Sequence, residues 1–186
     1  MIFWHQIFFA FWFFLPAGLA NMFPIFVAHT PGLRNLEFPM DFGLSWRGRR
    51  IFGSNKTMRG LVTGIVIAII TVLIQQSVYT HWNFLRAISP IDYQVLNPYL
   101  LGLLLALGAL IGDAVESFFK RQLDIPVGQS WLIFDQLDYV AGGILFTIGY
   151  VRLSWDLYLY IVLIFFVLHL LSTIIGYFLG LKKTAI

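Results

Sequence analysis

The sequence predicts an all-α integral membrane protein with about five transmembrane helices and a polar cavity open to one membrane side. Three observations predict it. The 186 residues are 59% hydrophobic and only 11% charged, against about 25% charge in an average soluble domain. Mean hydropathy is +0.82. Five apolar stretches approach the roughly 20 residues that a ~30 Å hydrocarbon core requires. The whole chain reads as one domain, residues 1–186.

The spans are expected at about 3–27, 60–78, 99–119, 131–151 and 158–181, with charged connections at 28–59 and 120–130. Ile2–Leu15 has the length of a signal-peptide core. No basic region precedes it and no small-residue cleavage site follows, so it reads as the start of the first span. That span carries Pro16 and Pro24, with Asn21 between them. A helix proline leaves a carbonyl of the preceding turn without its donor. Asn21 is therefore expected either to satisfy such a carbonyl or to contact a substrate. Spans two and three carry glycines at four-residue spacing, Gly60 with Gly64 and Gly108 with Gly112, a pattern that permits close helix approach. Gly142 and Gly143 read the same way. In the fourth span Asp135 and Asp138 fall in the first two turns, which requires a protein-lined cavity to shelter them.

Ten of the twelve Lys and Arg residues fall on one side of these spans, including Lys182 and Lys183 near the C-terminus; Arg86 and Arg152 fall on the other. The bias puts the N-terminus outside, and the C-terminus and the long connection in the cytosol. Trp46 and Trp131 then fall at the inner interface, where indoles belong. The net charge of +3 reports orientation rather than nucleic-acid binding. The absence of cysteine excludes disulfides and thiolate chemistry.

The chemistry is concentrated between Gly112 and Asp138, which reads GDAVESFFKRQLDIPVGQSWLIFDQLD and holds five of the nine acids. Asp113, Ser117 and Lys120 share one helix face, and Asp135 and Asp138, at i,i+3, share another. Carboxylates in or beside hydrocarbon are costly and point to function. A hard divalent cation such as Mg2+ takes carboxylate, phosphate and water oxygens, so Asp113, Asp135 and Asp138 are candidate metal ligands. The plainer alternative pairs them with Lys120 and Arg121. On the same side, GSNKTMRG gathers Asn55, Lys56, Thr57 and Arg59 at the start of span two. Free N–H groups of a helix N-terminus there favour an anion. The segment lacks the G-x-x-x-x-G-K-[ST] pattern. The four histidines make no zinc spacing, and the G-x-S-x-G elbow is absent. The chemistry that fits is attack of one phosphate on another.

Several ordered motifs carry a resemblance that covers nearly the whole length. They are LPAGLANMFP in span one, FPMDFG followed by WRGRRIFGSNKTMRG in the long connection, and GDAVESFFKR leading to FDQLD. Together they resemble the CDP-archaeol synthases, relatives of the phosphatidate cytidylyltransferases. SFFKR and DQLD echo the S-x-x-K-R and D-R-x-D parts of the wider signature. The resemblance implies a five-helix membrane enzyme that uses CTP and Mg2+, joins CMP to an isoprenoid glycerol-phosphate lipid and releases pyrophosphate. It implies a catalytic group of Asp113, Asp135, Asp138 and Lys120, with the three aspartates on metal. Lys56, Lys120 and Arg121 would meet phosphates. Asn55, Thr57, Arg59, Ser117 and Gln136 would line the cavity, with Asp41 contributing. Phosphatidate is the alternative acceptor. A transporter is the alternative of another class, but its polar residues would line several helices near the midplane.

Overall fold

The structure, a computed structural model, describes residues 2–27, 31–126 and 129–178. Lys182, Lys183 and the end of the span expected to reach 181 lie outside these. The described chain runs α1 (Ile2–Val27), a 3-10 turn (Pro31–Leu36), β1 (Ser45–Trp46), β2 (Arg49–Arg50), α2 (Met58–His81), α3 (Asn83–Ile88), α4 (Pro98–Gln122), α5 (Phe134–Thr147) and α6 (Trp155–Phe178). The two short strands form an antiparallel hairpin, with Ser45 opposite Arg50 and Trp46 opposite Arg49.

α1 runs through the middle and packs on α2, α4, α5 and α6. Phe9, Ala10, Phe13, Phe14, Ala17 and Ala20 are buried within the protein, so this helix is apolar all round because it meets helices on most sides. Lipid-facing surface falls to the outer helices, where Leu159, Leu163 and Ile175 of α6 stay exposed.

Four helices, α1, α2, α4 and α6, are long and apolar enough to cross a membrane. α5 differs from the 131–151 expected for it. It has 14 residues, about 21 Å at 1.5 Å per residue, less than the hydrocarbon thickness. Its start is set by Ile133, whose φ of 76° breaks the helix, and by Asp135, whose Oδ2 accepts the Trp131 N–H at 3.1 Å. At its end the Thr147 hydroxyl bonds back to Gly143 O at 2.7 Å. The connection between α2 and α4 also holds the six-residue α3, too short to show as a hydrophobic period.

Both helix prolines are accommodated by α2. Pro16 removes the donor that Trp12 O would receive. The carboxamide Nε2 of Gln75, a residue only 1% exposed, donates to that oxygen. Pro24 frees Ala20 O in the same way, and Gly64 lies against it: a Cβ built there would sit 2.8 Å from Ala20 O. The Asn21 side chain makes no hydrogen bond among the described residues; it is Gln75 that meets the carbonyl freed by Pro16. Replacing Gln75 with leucine leaves Trp12 O without a donor in the bundle interior. The expected loss is about 1 kcal/mol of stability, read as a lower melting temperature in detergent. An unchanged melt would rule out this role.

α4 and α5 make the closest approach. A Cβ at Gly108 would run into Gly142 O and would lie 2.7 Å from Gly143 Cα. A Cβ at Gly112 would overlap Asp138 O and lie 3.3 Å from Gly142 Cα. The glycine spacing read as packing therefore does pack, and it brings the acid-bearing turns of the two helices together.

Candidate active site

The long connection between α1 and α2 is built around one buried carboxylate. Asp41 is 3% exposed and accepts from Gly43 N at 3.0 Å, Phe52 N at 3.0 Å and Gly53 N at 3.1 Å. The Arg50 guanidinium donates to it at 2.6 Å. Burial alone would raise this carboxyl. The Arg50 hydrogen bond and the three backbone N–H groups outweigh it and hold the carboxyl well below the usual carboxylate range. A depressed folded-state value means the stabilisation is full above the ordinary 3.8 and declines only as pH falls below it. Asp41 thus shapes the loop. Asp41→Asn turns an N–H toward one of these donors. Amide exchange at Phe52 and Gly53 is expected to rise about tenfold, the equivalent of roughly one net hydrogen bond. Unchanged protection would contradict this account.

The loop is fastened at both ends. Met58 N donates to Phe38 O at 3.0 Å and Met40 N to Lys56 O at 2.7 Å. Arg49 donates to Gln122 O and pairs with Asp124, beyond the end of α4. Thr57 caps α2, its hydroxyl accepting Gly60 N at 3.2 Å. This placement puts Lys56 against Asp113 of α4, with which it forms an ion pair.

Asp113 belongs to a cluster. One carboxylate oxygen each from Asp113, Glu116 and Asp138 lies within 4.8 Å of the others. Asp113 and Glu116 are one turn apart on α4, and Asp138 is one turn into α5. The Gly112 contact with Asp138 O, at the adjoining residue, explains why they meet. Asp135 stands differently. Its Oδ1 lies 2.7 Å from Lys120 Nζ, while its Oδ2 is taken by Trp131 N. Lys120 Nζ also lies 2.9 Å from Glu116 Oε1. The ammonium therefore bridges α4 to the first turn of α5.

Glu116 was not among the ligands expected from the sequence. Its signal was present: Asp113 and Glu116 are i,i+3. Glu116 also stands i,i+4 to Lys120, with which it forms an ion pair.

The remaining expected residues divide. Ser117 and Gln136 are buried, and Gln136 Oε1 has no hydrogen-bond partner among the described residues. Arg121 Nε has no partner among the described residues, and the Arg121 Cδ lies 3.8 Å from where a Gly53 Cβ would sit. Arg59 is buried and pairs with Glu37 at 3.4 Å. Asn55 is exposed. Asn21 lies on α1 between Ala20 and Pro24, which pack on Gly64 and Gly60 of α2, at the level of the loop end of α2.

A groove of about 660 Å3 opens between α4 and α5. Its walls are apolar, from Val115, Phe119, Phe134 and Leu145, but Glu116 and Asp138 also line it. Two of the three cluster carboxylates thus border an apolar groove between α4 and α5.

The CarS-like CDP-archaeol synthase family model matches residues 3–186. The chain belongs to the CDP-archaeol synthase family. The CDP-archaeol synthase of Methanospirillum hungatei is 38% identical over 178 residues, covering 91% of this chain and 98% of the relative. That of Methanocaldococcus jannaschii is 34% identical over 185 residues, covering 97% and 98%. A solved structure described as an intramembrane enzyme for archaeal membrane lipid biosynthesis superposes with a TM-score of 0.66 at 28% identity, covering 89% of this chain and 92% of that one. The four long helices and this neighbour make the family member a multi-pass membrane protein.

Proposed function

We propose that this CDP-archaeol synthase family member transfers CMP from CTP to a glycerol-phosphate lipid carrying two ether-linked geranylgeranyl chains. A phosphate oxygen of the lipid attacks the α-phosphorus of CTP. The bond from that phosphorus to the β-phosphate oxygen breaks, and pyrophosphate leaves. The observation that carries this reading is a carboxylate cluster paired with Lys56 and Lys120, with Arg121 the next residue along α4, and bordered by an apolar groove. A triphosphate and a lipid phosphate both need to reach such a place, one from water and one from the bilayer.

The donor set suits Mg2+: three hard oxygens that converge, with room left for phosphate and water. Asp113, Glu116 and Asp138 would hold the ion, which supplies neutralisation of triphosphate charge when bound. This set exchanges Asp135 for Glu116. Asp135 instead holds Lys120 in place. Lys56, steadied by Asp113, and Arg121, with its free Nε, orient the phosphates and stabilise the departing pyrophosphate. Ser117 and Gln136 supply neutral hydrogen bonds at the cavity wall. The apolar groove takes isoprenoid chain while its phosphate reaches Asp138. The positive-inside bias favours an N-terminus outside and CTP entry from the cytosol.

The test offers labelled CTP and Mg2+ to the purified protein with either the ether-linked isoprenoid phosphate or phosphatidate. Lipid-linked label with release of pyrophosphate, stronger for the ether lipid, is expected. Label passing equally to phosphatidate would overturn the choice of acceptor. No label with either lipid would overturn the reaction.

A further inference from the structure

We propose that the loop bearing the β1–β2 hairpin is a membrane-surface anchor, seated in the headgroup layer of the leaflet on the active-site side and drawn to anionic lipid. Four large apolar side chains of this loop face outward: Phe42 at 70% exposed, Leu44 at 60%, Trp46 at 56% and Phe38 at 39%. The Phe38 and Phe42 rings contact each other at 5.6 Å. An apolar group this size on a loop is a surface that meets something.

The backbone presents these side chains on purpose. Phe42 has φ 49° and Arg47 has φ 53°, a region that non-glycine residues rarely enter. The Asp41 bond to Gly43 N closes the turn at Phe42, and the β1–β2 pairing closes the one at Arg47, so both aromatic groups are displayed by hydrogen-bonded turns.

Its height in the membrane follows from its fastenings. Phe38 is bonded to the first residue of α2 and Arg49 to the last of α4. α2 has 24 residues and α4 has 25, about 36 Å and 38 Å along the axis. Both exceed the ~30 Å core but not the 40–45 Å that includes headgroups. The ends of these helices, and the loop tied to them, therefore stand in the interfacial layer. Aromatic rings prefer that layer. Arg47 and Arg34 are exposed there and form no ion pair among the described residues, which supplies the attraction to anionic headgroups. The occupant is the bilayer itself, because the patch is bonded to the ends of α2 and α4, and near those ends Val62 and Phe119 are exposed apolar side chains too.

The chain contains no cysteine, so single spin labels can be placed cleanly on the full protein. Phe42→Cys and Trp46→Cys are labelled and reconstituted in vesicles of phosphatidylglycerol and, separately, phosphatidylcholine. At both positions the label is expected to be more accessible to oxygen than to a water-soluble nickel complex, with the larger shift in phosphatidylglycerol. Labels at both positions that meet the nickel complex as freely as an aqueous site does would overturn the proposal. Shielding from both reagents would overturn it too, since that marks a protein contact. Equal immersion in the two lipids would overturn the role of charge. None of these outcomes depends on catalysis, so the proposal stands or falls apart from the proposed reaction.

Discussion

Asp138→Asn is expected to lower CTP-dependent lipid labelling by roughly 10²–10³-fold, with melting temperature and detergent behaviour unchanged. The substitution keeps the side-chain volume and retains an oxygen for the Tyr139 N–H, now 2.5 Å from Oδ1. What it removes is one charge from the convergent trio of Asp113, Glu116 and Asp138. A companion pair separates ligand from support. Glu116→Gln is expected to weaken Mn2+ binding, followed by electron paramagnetic resonance, by at least about tenfold. Asp135→Asn is expected to leave that affinity nearly unchanged, because its oxygens serve Lys120 and Trp131 N. It should lower turnover through the loosened Lys120. Should Asp135→Asn weaken Mn2+ more than Glu116→Gln does, the ligand set reverts to the one read from the sequence. Should Asp138→Asn turn over normally while folded, the cluster is not the reaction centre.

Gly112→Val carries the largest expected effect on stability. Its first added carbon already overlaps Asp138 O, and the obstacle is backbone, which no rotamer change can move. The helices must separate, at a cost of about 3 kcal/mol, the upper end for overpacking. For a chain of this size that is a fall of roughly 6–12 °C in melting temperature. Turnover should fall as well, because the same contact holds Asp138 near Asp113. Gly149→Ala is the control, since nothing lies within 4 Å of its added carbon. Equal melts for the two variants would show that α4 and α5 do not meet as described.

The long helices were legible because hydropathy alone specifies α1, α2, α4 and α6. The site was legible where chemistry conflicts with environment. Asp113 and Asp138 stood out as carboxylates in hydrocarbon, and they do converge with another acid. What stayed hidden was relational. Gln75 looks like one more polar residue until Trp12 O is found beside it. Glu116 looks like the partner of Lys120 because it is one, and its nearness to Asp138 depends on the glycine contact between two helices. The shortness of α5 could not be read from an apolar run of 131–151. It depends on the positive φ at Ile133, which a β-branched residue rarely adopts.

That short helix has a consequence for the surrounding lipid. A helix about 21 Å long that stands among spans of about 36 Å leaves a notch on one side, with irregular backbone from Gln129 to Ile133 above it. The bilayer answers such a mismatch by thinning. The notch lies at the Asp138 end, because α5 begins four residues before Asp138 while α4 runs ten residues past its Gly112 contact; thinning there would lower a neighbouring lipid's phosphate toward the depth of Asp138. Such a lipid would have only to drift sideways, and would not need to be lifted out of its leaflet to react.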